Sequence, residues 1–471
     1  MIFHSFAFVA FALLIVTLYW RLPHRAQNLL LLVSSYVFYG WVHPWFLILV
    51  GASTVADYFA ARWMESDPNR KRLYLTLSLI VNLGMLGFFK YFNFFAENVH
   101  AALALVHLDL PATALRVVLP VGISFYTFQE LTYTIDVYQG KLKARRNFLD
   151  FAAFVAFFPQ LVAGPIERAS RLLPQMERPR TFSWTAAESA LFMIVWGYFK
   201  KLVIADNVGI VANKVFALQD PGFVTLWAGV FAFGIQIYAD FSAYSDIGRG
   251  VAKWLGFELM RNFDHPYSAL GPVDFWRRWH ISLSSWFRDY VYIPLGGSRA
   301  GQARTIRNIM ITFLLSGLWH GASWNYVLWG GYHGALLALS RLAERSGLRL
   351  PAWTVRLLAP VRLVGMFVLV NIGWLLFRET DTAMLFRDLR LSPWHATAFD
   401  RQAGGYLFLM ALFYSLPLWV NDAWVRWRGH REDEAMSLNV LLSRAVLAGL
   451  LVAAILVLRS QQSLDFIYFQ F

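Results

Sequence analysis

An all-helical, polytopic membrane protein is the fold the sequence predicts, and three observations predict it. Hydrophobic residues make up 58% of the 471 residues, and charged residues only 15%, against roughly 25% in an ordinary soluble chain. The mean hydropathy is +0.47. Apolar runs approaching the roughly 20 residues a helix needs to cross a bilayer recur from one end of the chain to the other. Disorder is excluded by the apolar and aromatic content. With no cysteine, the chain has no disulfide, no thiolate-bound zinc or iron–sulfur cluster and no catalytic thiol.

The first run, Ile2–Trp20, is followed by Arg21 and His24–Arg25 and shows neither a basic leader nor a small-residue cleavage site, so it reads as a retained span. Asn28–Trp41 and Trp45–Ala61 are shorter, and Leu73–Phe95 is continuous. Val117–Tyr138, Phe148–Ala163 and Ala186–Val203 are short or interrupted, whereas Phe223–Ala239 is continuous. Ile306–Trp319 and Trp324–Leu339 precede three clear runs, Val361–Phe377, Gly405–Val420 and Val440–Leu458. The expectation is roughly a dozen membrane-embedded helices, some re-entrant or interfacial, in one domain over residues 1–471 with a short aromatic tail at 466–471.

The net charge of +13 has a location. Lys and Arg cluster in Arg21–Arg25, Arg62–Arg72 and Lys141–Arg146, while His43–Pro44 and Ala96–Leu115 carry neither. That alternation follows the positive-inside rule and predicts an outward N-terminus with basic cytoplasmic loops. Basic loops between apolar runs imply contact with anionic lipid and not with nucleic acid.

Polar residues within apolar segments are candidates for function, because burying them in a bilayer is costly. Gln236, Asp240 and Tyr244 fall on one helical face at i, i+4 spacing, with Asp246 just beyond. A helix end leaving the membrane, with Asp246 solvated, is the alternative. In Asp274–Asp289, Trp276, Trp279 and Trp286 mix with Arg277, Arg278 and Arg288 in an interfacial pattern, with His280 among them where an anion could dock. The third stretch, Ser316-Gly-Leu-Trp-His320-Gly-Ala-Ser-Trp324, places a histidine between two apolar runs, with Gly317, Gly321 and Ala322 allowing close backbone approach. A neutral imidazole there could take a proton from a hydroxyl, although a satisfied interfacial histidine fits the same pattern. His333 follows one Gly-rich stretch later. Phosphate-loop, dinucleotide, zincin and nucleophile-elbow motifs are absent.

Seven stretches together carry a resemblance. They are Pro120–Gln129, Phe158–Ile166, Tyr238–Asp246, Asn262–Tyr267, Asp274–Arg288, Tyr292–Gly297 and Gly317–Trp324. In this order they resemble the membrane-bound O-acyltransferase family, in its bacterial branch that acetylates exopolysaccharides.

The resemblance implies tilted helices around a central tunnel, with acetyl-CoA as cytoplasmic donor and no metal. His320 matches the family's catalytic histidine and His280 its second functional polar position. Trp319, Trp324 and Asn325 are candidates to polarise the thioester carbonyl, and Arg277 and Arg278 to bind the anionic part of the donor. The tail Phe466-Ile-Tyr-Phe-Gln-Phe471 resembles members that feed an extracytoplasmic acetyltransferase, which makes Tyr468 a candidate acyl relay; interfacial anchoring is the plainer use of such a tail. Expected partners are membrane lipid, a periplasmic acetyltransferase and, indirectly, the polysaccharide acceptor. The expected location is the bacterial inner membrane. Alginate is the first expectation for the polymer, with peptidoglycan or cellulose as alternatives. A channel, a secondary transporter or a secretion scaffold is the reading from a different class. Lacking a thiol, any covalent intermediate would sit on histidine or on an oxygen.

Overall fold

The computed structural model describes residues 1–108, 115, 118–162, 164–299, 301–345, 351, 354, 357–428, 438–462 and 464–469. Of the tail, Gln470 and Phe471 lie outside these. Among the described residues the ordered structure is helical, without strands. Five helical stretches among the described residues are long and apolar enough to cross a membrane: Pro68–Ala104, Phe223–Trp254, Ala359–Arg378, Ala398–Trp427 and Leu441–Leu458; Phe6–Tyr19 and Phe148–Leu161 are apolar but shorter. The predicted runs all form helix, and the boundaries have local causes. Helix Phe6–Tyr19 starts where the Ser5 hydroxyl accepts the Phe8 N–H at 3.1 Å, a side-chain N-cap. The run from Val117 becomes helical only at Ile123, because Gly122 takes a left-handed φ of 78° and a Cβ there would sit 2.7 Å from the Leu161 carbonyl. Phe157, with ψ 103°, splits the Phe148–Ala163 run into Phe148–Ala156 and Phe158–Leu161.

The chain divides into two compact units, Met1–Ile194 with Tyr244–Met260, and Val195–Ala243 with Arg261–Phe471. The first unit ties its helices through buried polar side chains. Asp57 accepts from Ser78 at 2.6 Å and from Asn82 at 3.0 and 2.9 Å, while Glu130 accepts from Ser53 at 3.1 Å and Thr54 at 3.2 Å. These bonds join helices Phe46–Ser66, Lys71–Leu86 and Ile123–Tyr138, each supplying part of a network that would be costly if left incomplete. Gln129 and Gln160 donate to the Phe154 carbonyl at 2.7 and 3.2 Å, so two of the family-like stretches serve packing here.

The second unit pairs helices Gln302–His320 and Trp324–Arg345 at backbone contact. A Cβ on Gly317 would meet the Tyr326 carbonyl oxygen at 2.1 Å, and one on Gly330 the Phe313 carbonyl oxygen at 2.3 Å. The close approach expected of the small residues is present, and it fixes the end of the first helix. In the same unit, Asp400 accepts from the Val224 and Thr225 N–H groups at 3.0 Å each and caps the start of helix Phe223–Trp254.

Candidate active site

His320 closes helix Gln302–His320. The next residue, Gly321, turns to extended backbone (φ −161°) and lies against Tyr326, whose ring would stand 2.1 Å from a Cβ at that position. The buried imidazole is boxed by aromatic rings, with centroids of Trp329 at 5.0 Å, Trp319 at 5.1 Å, Phe377 at 5.3 Å and Tyr468 at 5.9 Å.

His280 arrives from another element. It separates the seven-residue helices Pro272–Arg278 and Ile281–Phe287 and takes a left-handed φ of 42°. A non-glycine residue holds that conformation only when its surroundings over-determine it. Here two backbone bonds bracket it, from Asp264 N–H to the Arg278 carbonyl at 2.9 Å and from Ile281 N–H to the Asn262 carbonyl at 2.8 Å. Ser282 adds a bond to the Asn262 amide oxygen at 2.6 Å. Thus Asn262–Tyr267 lies beside Asp274–Arg288 and the two aim the imidazole. Fully buried, it packs on Phe241 at 4.6 Å, and its ring lies 6.4 Å from His320 and 6.3 Å from Tyr468. Burial away from water pushes this imidazole down to about 3, so the neutral ring is favoured and its nitrogens serve as hydrogen-bonding groups.

The C-terminal segment brings Tyr468 to the same place. Its ring packs on Phe241 at 4.5 Å and on Phe466 at 5.7 Å. Burial raises its phenol above the ordinary range, so the hydroxyl holds its proton. Ile467 N–H donates to Asp240 at 2.8 Å, and Asp240 in turn pairs with Lys201 at 3.0 Å. Two imidazoles and a phenol, in a water-poor aromatic enclosure, are the components of proton abstraction from a hydroxyl with acyl transfer to its oxygen.

The other predicted residues fall elsewhere. Trp319 lies beside both histidines, 5.1 Å from His320 and 6.1 Å from His280. Trp324 is exposed at the start of its helix. Asn325 is buried and donates to the carbonyls of Leu376 at 3.4 Å and Phe377 at 3.1 Å, so it holds the last turn of Ala359–Arg378 and with it the Phe377 ring beside His320. Arg278 pairs with Asp274 at 2.8 Å and Arg277 is exposed. Tyr244 and Asp246 belong to the first unit. There Tyr244 bonds His4 at 3.0 Å and stacks on Phe3 at 5.5 Å, and Asp246 pairs with Arg249 at 3.6 Å. His333 packs among Phe275, Trp276 and Trp329, 4.9 Å from the last, with Gly373 making room for its Nε2.

Four neighbours escaped the sequence reading: Lys201, Phe241, Trp329 and Phe377. Trp329 and Phe377 lie in apolar runs, where nothing marks one ring from the next, and Phe241, although inside Tyr238–Asp246, is one aromatic among polar residues that drew the attention. Lys201 carried a usable signal, two adjacent lysines inside the run Ala186–Val203.

The sequence profile of the membrane-bound O-acyltransferase family matches residues 142–377, which include His280 and His320. The chain is 38% identical to the probable alginate O-acetylase AlgI of Azotobacter vinelandii over the full length of both proteins. It is 41% identical to the probable alginate O-acetylase AlgI of Pseudomonas aeruginosa over 82% of this chain and 74% of that one. The peptidoglycan O-acetyltransferase of Helicobacter pylori is 35% identical over 79% of this chain and 76% of its own.

Proposed function

This chain belongs to the membrane-bound O-acyltransferase family, and from that premise we propose that it moves acetyl groups from cytoplasmic acetyl-CoA across a bacterial inner membrane for O-acetylation of an exopolysaccharide. Alginate is the polymer that the relatives from Azotobacter vinelandii and Pseudomonas aeruginosa favour.

The observation that carries the reading is the convergence of His320, His280 and Tyr468, with ring centroids 5.9 to 6.4 Å apart. In the proposed step the Tyr468 oxygen attacks the thioester carbonyl while His320 takes the phenolic proton. The C–O bond forms, the C–S bond breaks, and the proton held on His320 goes to the departing thiolate. His280, neutral, orients the phenol or the carbonyl. Trp319, Trp324 and Asn325 remain candidates for polarising that carbonyl, and Arg277 and Arg278 for the anionic part of the donor. The acyl tyrosine then passes its acetyl group to a periplasmic acetyltransferase, which places it on the polymer. An outward N-terminus accompanies this topology, as the basic loops suggest.

The test uses acetyl-CoA labelled in the acetyl group and the purified full chain. Label on the wild-type protein that maps to the segment around Tyr468, and its loss in Tyr468→Phe, supports the relay; equal labelling of His320→Ala overturns the general base. The relative from Helicobacter pylori favours peptidoglycan as a second polymer. Assaying acetyl delivery to each polymer with the matching periplasmic enzyme separates the two.

A further inference from the structure

Where the C-terminal segment meets the rest of the second unit, its backbone is gripped by a buried ionic triad. Lys201 Nζ lies 2.9 Å from Asp206 and 3.0 Å from Asp240, and all three side chains are almost wholly buried. One cation shared by two buried carboxyl groups leaves carboxyl oxygens that need further donors, and burying them without partners would be expensive. The partners come from the tail. Leu464 N–H donates to Asp206, Ile467 N–H donates to Asp240 at 2.8 Å, and Lys201 donates to the Leu464 carbonyl at 2.8 Å. Charge-assisted bonds of this kind are among the stronger ones a protein makes.

Two further features belong to the same device. Lys200–Ala205 is a π turn inserted between helices Trp184–Phe199 and Asp206–Phe216, and it is where two successive lysines are both buried, Lys200 bonding Ser242 at 2.9 Å. Just beyond it, a Cβ on Gly209 would meet Leu464 Cδ1 at 2.6 Å and the Gln236 amide at 2.7 Å, so the helix carries glycine where the leucine seats. The docking continues upstream, with Ser460 N–H donating to the Leu202 carbonyl at 3.2 Å and Asn207 to the Leu458 carbonyl at 3.0 Å.

We infer that Lys201, Asp206, Asp240 and Gly209 form a receptor for the chain's own C-terminal segment, and that Lys201 and Asp240 are positioning residues that hold Tyr468 at the two histidines. The grip falls on main-chain groups at 464 and 467, one residue short of the tyrosine, so it fixes the segment's path without using the phenol itself. The catalytic consequence rests on the relay proposed above; the docking itself does not.

Because the chain has no cysteine, Asp465→Cys, at an exposed tail position, gives a single site for a nitroxide label on the full-length protein. The background is then varied in two independent ways. Lys201→Met/Asp206→Asn/Asp240→Asn removes the charges without orphaning any of them, and Gly209→Val crowds Leu464 with the triad intact. Expected are an immobilised label in the parent, a mobile fraction in both variants, and a kcat for acetyl transfer at least ten-fold lower with KM for acetyl-CoA unchanged. A label that stays immobile in both variants overturns the receptor, and a mobile label with undiminished kcat overturns the positioning role. Tyr468→Phe with a label as immobile as the parent's but full transfer would end the relay alone, leaving the docking to stand on the spectra.

Discussion

The His320 imidazole and the Tyr468 ring lie with centroids 5.9 Å apart, although 148 positions separate them in the chain and they belong to different elements. General-base assistance is typically worth about 10²–10⁴-fold. His320→Ala is therefore expected to lower single-turnover acetyl transfer by about that factor. Binding of acetyl-CoA, measured by calorimetry on the same protein, should change little. Loss of binding in proportion to the loss of rate would place His320 in donor recognition instead.

Asn325 secures the turn that carries Phe377 against His320. Asn325→Leu fills similar space but leaves the Leu376 and Phe377 carbonyls without their donor, a loss of about 1–3 kcal/mol for buried acceptors. A lower unfolding midpoint in detergent is the expected result, with a slower transfer rate because Phe377 is no longer held. An unchanged midpoint would show that those carbonyls find other partners.

Outside the membrane-spanning helices, Glu167 makes stability depend on pH. Burial pushes this carboxyl up to about 7, against the lowering influence of the Met260 N–H it accepts and of nearby Arg171. The folded state thus holds a proton that the unfolded chain releases near pH 4.5. This contribution is full below that pH and is lost as the pH rises through about 7, a span worth up to about 3 kcal/mol. The wild-type midpoint should fall between pH 5 and roughly 7, and Glu167→Gln should flatten that part of the curve. A midpoint that rises over the same interval would mean Glu167 is ionised in the fold.

Much of this was legible in the sequence, for identifiable reasons. Among the described residues each apolar run is mostly helix, because a long apolar segment has few other ways to satisfy its backbone. His320 and His280 stood out as ionisable groups among aromatic ones. Tyr244 did not join them: its i, i+4 spacing from Asp240 is correct on the helix, yet Tyr244 is taken up by His4 and Phe3 in the first unit, and spacing along one helix cannot tell which neighbours it meets. Asp240 was found by that same spacing, but its partner Lys201 and the tail it holds required knowing how distant segments meet.

Gly317 offers the sharpest contrast for testing how the site is built. A methyl at 317 would collide with the Tyr326 carbonyl oxygen at 2.1 Å, a backbone atom that cannot rotate away, whereas one at Gly331 meets only Leu314 Cδ2 at 3.7 Å, an ordinary contact. Gly317→Ala must push the two helices apart three residues before His320, and overpacking of this kind costs about 1–3 kcal/mol. Its expected signature is a lower unfolding midpoint together with a kcat reduced at least several-fold, since His320 moves away from Tyr468 while both side chains are intact. Gly331→Ala should be near neutral in both, and helped slightly by the better helix propensity of alanine. Equal behaviour of the two variants would mean that the helix contact is loose enough to absorb a methyl group, and that its closeness does not set the position of His320.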